Sequence, residues 1–284
     1  MKLSSNMIRF YKVFGMKGMI DLFSEVGFEA IDFNCDLKEF HDGTYGKDFY
    51  TEIRKYANDK GVIFGQTHAP FASSYASEEL SKQRFNEIAA SFETSQLLGA
   101  PCMVVHPCQQ FDYSKANHEA MYEYNLNFYK KLIPYYEKSG VKIAIENINQ
   151  KEKMSIISTS EMLNRIYDDL DNEAFTFCFD VGHSNILGMN VGDEIRALGS
   201  RIGCLHVHDN DGVNDLHTLP YYGTVKWNEV AQALADIDYQ GTFNYEAAIF
   251  VGKVPDELLC DGARYMSSVG HSIIDKIAKL KNEK

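Results

Sequence analysis

A glycine opens a short β-branched or aromatic run, following a helix-forming stretch, six times along this chain: GFEAIDF, GVIFGQTH, GAPCMVVH, GVKIAIEN, GSRIGCLHV and GTFNYEA. The glycines are Gly27, Gly61, Gly99, Gly140, Gly199 and Gly241. A glycine just past a helix C-terminus takes the left-handed conformation that closes the last turn, so each one predicts a helix ending and a strand beginning. Two more runs, Leu3 to Met7 and FTFCFD at 175–180, bring the expected strands to eight. Between them apolar residues fall at helical spacing: Phe85, Ile88 and Phe92; Met121, Tyr124, Phe128, Leu132 and Tyr135; Val230, Leu234 and Ile237; Ile273, Ile277 and Leu280.

Eight strands alternating with helices over 284 residues predict parallel βαβ units closed into an α/β fold, a (β/α)8 TIM barrel, as a single domain spanning residues 1–284. An open doubly wound sheet is the competing architecture, but it would usually carry a glycine-rich phosphate loop after an early strand, and GxGxxG is absent. No linker or charge block divides the chain.

Barrels of this kind gather their chemistry where the strands end and the βα loops converge. The polar residues that end the apolar runs are His68 in QTHAPF, His106 in VVHPC, Glu146 in IAIEN, Asp180 in FCFDVGH, His206 in CLHVHDND and Glu246 in FNYEA. A lone histidine in such a place is more often a hydrogen-bonded loop residue. Three carboxylates at one rim are harder to dismiss, because they repel one another unless protons or cations neutralise them. A divalent metal ion is the economical explanation. The segment HVHDNDGVNDLHTLP, residues 206–220, adds His208, Asp209, Asp211, Asp215 and His217. His208 reads as structural, Asp209 and Asn210 shape the turn, and Asp211 lies solvated at the loop tip.

Several chemistries lose support. The formal charge of −12 repels a polyanion and disfavours nucleic acid as a partner. Six scattered cysteines without a CxxC read as small buried hydrophobes in a reducing compartment. The N-terminal MKLSSNMIRFYKVFG lacks the apolar core of a signal peptide, and no run approaches membrane-spanning length, so a cytoplasmic protein is expected. There is no nucleophile elbow, P-loop or HExxH, and the DND-G stretch lacks the ligand series of an EF-hand.

Together IEN at Glu146, FDVGH at Asp180 and His183, LHVHDND at His206, DLH at Asp215 and His217, and YEA at Glu246 resemble the xylose isomerase-like barrels. That superfamily holds sugar and sugar-phosphate isomerases and epimerases, inositol-pathway enzymes, dehydratases and endonuclease IV. In its epimerase branch a Glu, an Asp, a His and a second Glu hold one divalent ion, and by resemblance these are Glu146, Asp180, His206 and Glu246. In endonuclease IV the same four belong to a three-metal cluster whose other ligands correspond to His68, His106, His183, Asp215 and His217. All nine positions match. Two departures limit the transfer: the Arg that ketose 3-epimerases carry six residues after the ligand His is Gly212 here, and the DNA-penetrating segments of endonuclease IV are not recognisable.

The resemblance implies a metal-dependent isomerase or epimerase of a sugar, sugar phosphate or polyol-derived ketone, with Glu146 and Glu246 as the proton-transferring pair and His183 orienting a substrate oxygen or Asp180. The ligand set suits Mn²⁺ or Zn²⁺, with Mg²⁺ or Co²⁺ also accommodated, and more than one ion is allowed for. The alternatives are an endonuclease IV-like multi-zinc phosphodiesterase and a metal-dependent dehydratase or lyase. The expected partner is a small carbohydrate or polyol, with no membrane, and barrels of this type often form homo-oligomers.

Overall fold

The computed structural model describes residues 1–109, 117–148 and 156–283. Eight strands form one sheet: β1 (Lys2–Asn6), β2 (Ala30–Asn34), β3 (Ile63–His68), β4 (Cys102–Val105), β5 (Lys142–Glu146), β6 (Phe175–Asp180), β7 (Ile202–His206) and β8 (Thr242–Tyr245). The order is β7-β6-β5-β4-β3-β2-β1-β8, and every pairing is parallel. Closure between β7 and β8 runs through Val207, whose N–H donates to Asn244 O at 2.8 Å and whose carbonyl accepts from Glu246 N at 3.1 Å. The fold is the expected (β/α)8 barrel, with a helix after each strand.

Five of the six marker glycines have positive φ; Gly27 at 92° and Gly99 at 76° both cap a helix in the left-handed conformation. Gly241 is the exception. It is held small instead by close approach, since a Cβ there would lie 2.2 Å from the Tyr239 hydroxyl and 2.7 Å from Gly203 O. The apolar periodicity from Met121 to Tyr135 is not one helix either. It breaks at Lys131 and Leu132 into helices His118–Lys130 and Ile133–Ser139, with Pro134 in the first turn of the second, where its missing N–H costs no hydrogen bond.

Strand alternation separates two interiors. Ile31, Phe33, Ile143, Ile145, Phe175, Phe177 and Phe179 point outward and pack under the helices with Phe23, Phe92 and Ile273, all at or near zero exposure. Burying each such side chain contributes about 1.5–3 kcal/mol. Inside the barrel the residues are small: Cys102, Val104, Ala144, Cys178 and Cys204 form a separate cluster. The cysteines are free, and five of the six are buried, as expected of small hydrophobes. On the β1, β2, β3 and β8 side the interior is instead polar, with Ser4, Asp32, Gln66 and Asn244 buried and paired in register as Ser4 with Asn244 and Asp32 with Gln66. Among the described residues no helix is long and apolar enough to cross a membrane.

Candidate active site

Because the strands are parallel, their C-terminal ends share one rim. His68, Glu146, Asp180 and His206 are the last residues of β3, β5, β6 and β7, while His106 and Glu246 each follow a strand end by one residue. The rim therefore brings together all six of the strand-end residues expected to converge there.

At its centre, His206 Nδ1 lies 3.1 Å from Glu146 Oε1, 3.2 Å from Glu246 Oε2 and 3.9 Å from Asp180 Oδ2. Glu146, Asp180, His206 and Glu246 can each offer a ligand atom within 4.8 Å of the others. The first three side chains are at most 1% exposed, whereas Glu246 is 18% exposed and reaches the cavity above. Burial opposes charge on Glu146, but the His206 and His106 imidazoles outweigh it and hold the carboxyl well below the usual range. Burial likewise opposes protonation of His206, and Glu246 and Glu146 overcome it, so its pKa is raised well above 6.5. Among the described residues neither His206 nitrogen makes a hydrogen bond of good geometry. A cluster of negative charge around an unsatisfied imidazole fits a divalent cation.

Asp180 is fixed from three sides. Its backbone N–H donates to Asn147 Oδ1 at 2.7 Å, and Asn147 Nδ2 donates back to Asp180 O at 2.9 Å, clamping β5 to β6. Its Oδ1 accepts from His183 N at 2.7 Å, capping helix Val181–Ile186. The Asn of IEN was thus a positioning residue in plain view of the sequence.

Two further groups flank the centre. On one side His106 Nε2 lies 2.9 Å from Glu146 Oε2 and 3.1 Å from His68 Nε2, and two facing imidazole nitrogens need a proton or cation between them. On the other side Asp215 Oδ2 lies 3.2 Å from His217 Nε2 and 3.4 Å from His183 Nε2. Burial disfavours charge on these imidazoles, but Asp180 and Asp215 beside His183 carry its pKa to about 10, and Asp215 and Glu246 beside His217 carry its pKa to about 9. Three of the histidines turn Nδ1 to a backbone carbonyl: His68 to Ala69 at 2.7 Å, His183 to Asn147 at 2.8 Å and His217 to Glu246 at 2.9 Å. Each Nδ1–H donates to its carbonyl, which leaves Nε2 aimed into the cluster, where it becomes a ligand once it gives up its proton.

His208 departs from expectation. It lies at the site itself, on the side of His206, as residues two apart along an extended chain do. The ring is fully buried, with Nε2 3.1 Å from Asp180 Oδ1, and it stacks on His217 at 3.9 Å between centroids. His208 thereby joins His183, Asp215 and His217 as a fourth residue of that group. Asp209 shapes the loop as expected, and more than expected: its carboxylate accepts from the backbone of Asn210, Tyr221 and Val225 and from Trp227 Nε1, at 2.8–3.1 Å. Asp211 is exposed at the tip, accepting from Val213 and Asn214.

A cavity of about 420 Å³ opens onto Glu246 and His217, with Asn6, Arg9, Lys12 and Phe71 among its walls. Phe71 is 42% exposed and stacks on His106. The volume lies in the range of roughly 300–1,000 Å³ usual for small-molecule sites.

Comparison with known proteins points the same way. The family described as Xylose isomerase-like TIM barrel matches residues 20–266. The D-psicose 3-epimerase of Enterocloster bolteae is 26% identical over 245 residues, covering 83% of this chain and 78% of that protein. Among solved structures, a D-tagatose 3-epimerase-like protein superposes with a TM-score of 0.78 at 23% identity, covering 100% of this chain and 99% of that one. The IOLI protein, solved with a binding zinc atom, superposes with a TM-score of 0.76 at 18% identity over 99% of each chain. At these identities the two structures speak for the fold.

Proposed function

We propose that this chain, which belongs to the Xylose isomerase-like TIM barrel family, is a metal-dependent isomerase or epimerase of a sugar or related polyol-derived ketone. The observation that carries the proposal is the central constellation: two glutamates at the ends of β5 and β8, both within 3.2 Å of one buried imidazole, with the more exposed of them lining the cavity. Kinship with D-psicose 3-epimerases supports a ketose as substrate.

Glu146, Asp180, His206 and Glu246 are the residues that would hold a divalent ion; such an ion supplies a Lewis acid for the carbonyl oxygen. The remaining steps belong to the chain. Glu246, facing the cavity, takes the proton alpha to the carbonyl; Glu146, a carboxylate at rest, returns a proton to the opposite face after taking it up from solvent, and Glu246 releases its own to solvent to close the turnover. Asn147 and the N–H of His183 keep Asp180 from rotating away. His183 and His217, each pinned by a carbonyl, present Nε2 toward a substrate oxygen. Gly212 in place of the epimerase arginine leaves Lys12, beside an Arg9 that is paired with Asp256, as the cation in the cavity wall, which supports an anionic group at the far end of the substrate. The test is solvent deuterium incorporation into D-psicose, D-fructose, D-tagatose and their phosphates, followed by NMR. Exchange supports the reading, and none across the panel removes it.

One observation favours a second reading. The carbonyl-anchored histidines of both flanking groups have the orientation of metal ligands, which suits a multi-zinc phosphodiesterase. Elemental analysis of protein purified without added metal separates the two: one ion per chain goes with the isomerase, and three tightly held zincs together with nicking of an abasic-site duplex go with the hydrolase.

A further inference from the structure

Of the histidines in the central and flanking groups, His68, His183 and His217 are oriented by a backbone carbonyl on Nδ1. His206 has no such anchor, and among the described residues neither of its nitrogens makes a hydrogen bond of good geometry. Yet it is the residue around which the carboxylates converge, and a neutral imidazole that gives one nitrogen to a cation must carry its proton on the other. Nδ1 is the nitrogen facing Glu146 and Glu246. Nε2 is left for the proton, and Asp32 Oδ2 lies 3.8 Å from it inside the barrel.

Asp32 is itself in want of a donor. It has no exposure, and among the described residues Oδ1 accepts no hydrogen bond and Oδ2 accepts only from Asn244 Nδ2 at 3.0 Å. Burial pushes its carboxyl upward, and the strongest influence opposing that is His206. A buried carboxylate short of donors and a buried imidazole short of an acceptor, facing each other across less than 4 Å, satisfy one another's deficit. Side-chain movement of well under an ångström brings them from 3.8 Å into hydrogen-bond range.

We propose that Asp32 is the positioning residue for His206: it accepts Nε2–H, fixes the tautomer that directs the Nδ1 lone pair toward Glu146, Asp180 and Glu246, and thereby strengthens the site's hold on a divalent ion. The inference rests on reading those four residues as a metal site. A carboxylate behind a ligand histidine raises the basicity of the ring and holds its orientation, and loss of such a partner typically weakens metal binding about 10–100-fold.

The test uses Zn²⁺ as probe, with affinity measured by chelator competition and the His206 tautomer read by ¹⁵N NMR in the Zn²⁺-loaded protein. Asp32→Asn is expected to bind Zn²⁺ about 10–100-fold more weakly while the metal-free protein melts no lower than wild type. Wild type is expected to show the proton on Nε2 and the bond through Nδ1. Unchanged affinity in Asp32→Asn overturns the proposal, as does a lowered melting temperature with unchanged affinity, which is the mark of a purely structural residue. The wild-type tautomer decides the matter even if the variant does not fold, since a proton on Nδ1 contradicts it outright. Should wild type bind no divalent ion, the metal reading fails and takes this inference with it. If wild type binds and Asp32→Asn matches it, only the role of Asp32 is lost.

Discussion

Gly182 and His208 compete for the same space: a Cβ on Gly182 would lie 2.0 Å from His208 Cε1. The glycine of FDVGH is therefore dictated by an imidazole from the neighbouring strand's loop. Gly182→Ala must push that ring off Asp180, on which it rests at 3.1 Å. Overpacking of this kind costs about 1–3 kcal/mol, and Asp180 should lose part of its hold. We expect a lower melting temperature together with weaker Zn²⁺ binding; a variant with both unchanged would mean that His208 supports nothing at the site.

Glu246→Gln keeps the shape of the side chain and removes its basicity. If Glu246 takes the substrate proton, solvent exchange into a ketose falls about 10²–10⁴-fold, the usual contribution of a general base. The variant should retain the wild-type melting curve within a few degrees. Exchange at the wild-type rate would place the base elsewhere.

The metal-free protein should lose stability as the pH rises. His183 has a folded pKa of about 10 and His217 of about 9, both above the ordinary 6.5, and His206 is also raised. Groups whose folded pKa is raised contribute fully below the unfolded value, and that contribution disappears as the pH climbs through the folded one. The melting temperature in chelator should thus fall between about pH 6.5 and pH 10. Metal binding requires deprotonated imidazoles, so added Zn²⁺ should stabilise more at the upper end of that window. A flat profile in chelator would contradict the charge state assigned to these histidines.

Asp209 ties residues 210–227 to the end of β7 through four donors. Asp209→Ala leaves those donors without their acceptor, at a cost on the order of 3 kcal/mol or more. Because His217 rides on that segment, limited proteolysis should show cleavage between residues 210 and 227 in the variant and not in wild type. Equal resistance would show that the segment is held by other contacts.

The barrel was legible because its local signals agree: a closing glycine, a β-run and a polar strand end recur in step, and parallel strands force those ends onto one rim. Asp180 and Glu246 could be read from their places after FCF and FNY for that reason. His208 was read as structural although two-residue alternation places it on the face of His206, and its part at the site comes from Asp180 and His217, which approach it from other segments. Asp32 was missed although GFEAIDF displays it, since a carboxylate in mid-strand of a barrel faces inward only in partnership with groups from distant strands, here Asn244 and His206. Gly241 looked like a helix cap and is a packing glycine, a distinction that depends on Tyr239 and Gly203 rather than on neighbours in sequence. The broken helix near Leu132 carried its signal in Pro134, which the apolar spacing overrode.

The central claim is that Glu146 and Glu246 move a proton on a carbonyl substrate beside a bound divalent ion. Its most direct test is NMR of a ketose panel in D₂O with wild-type protein loaded with Mn²⁺ or Zn²⁺ and then freed of excess ion. The account predicts deuterium at the carbon next to the carbonyl, abolished by chelator and by Glu246→Gln. Fully loaded protein that leaves every ketose and ketose phosphate unexchanged would contradict it.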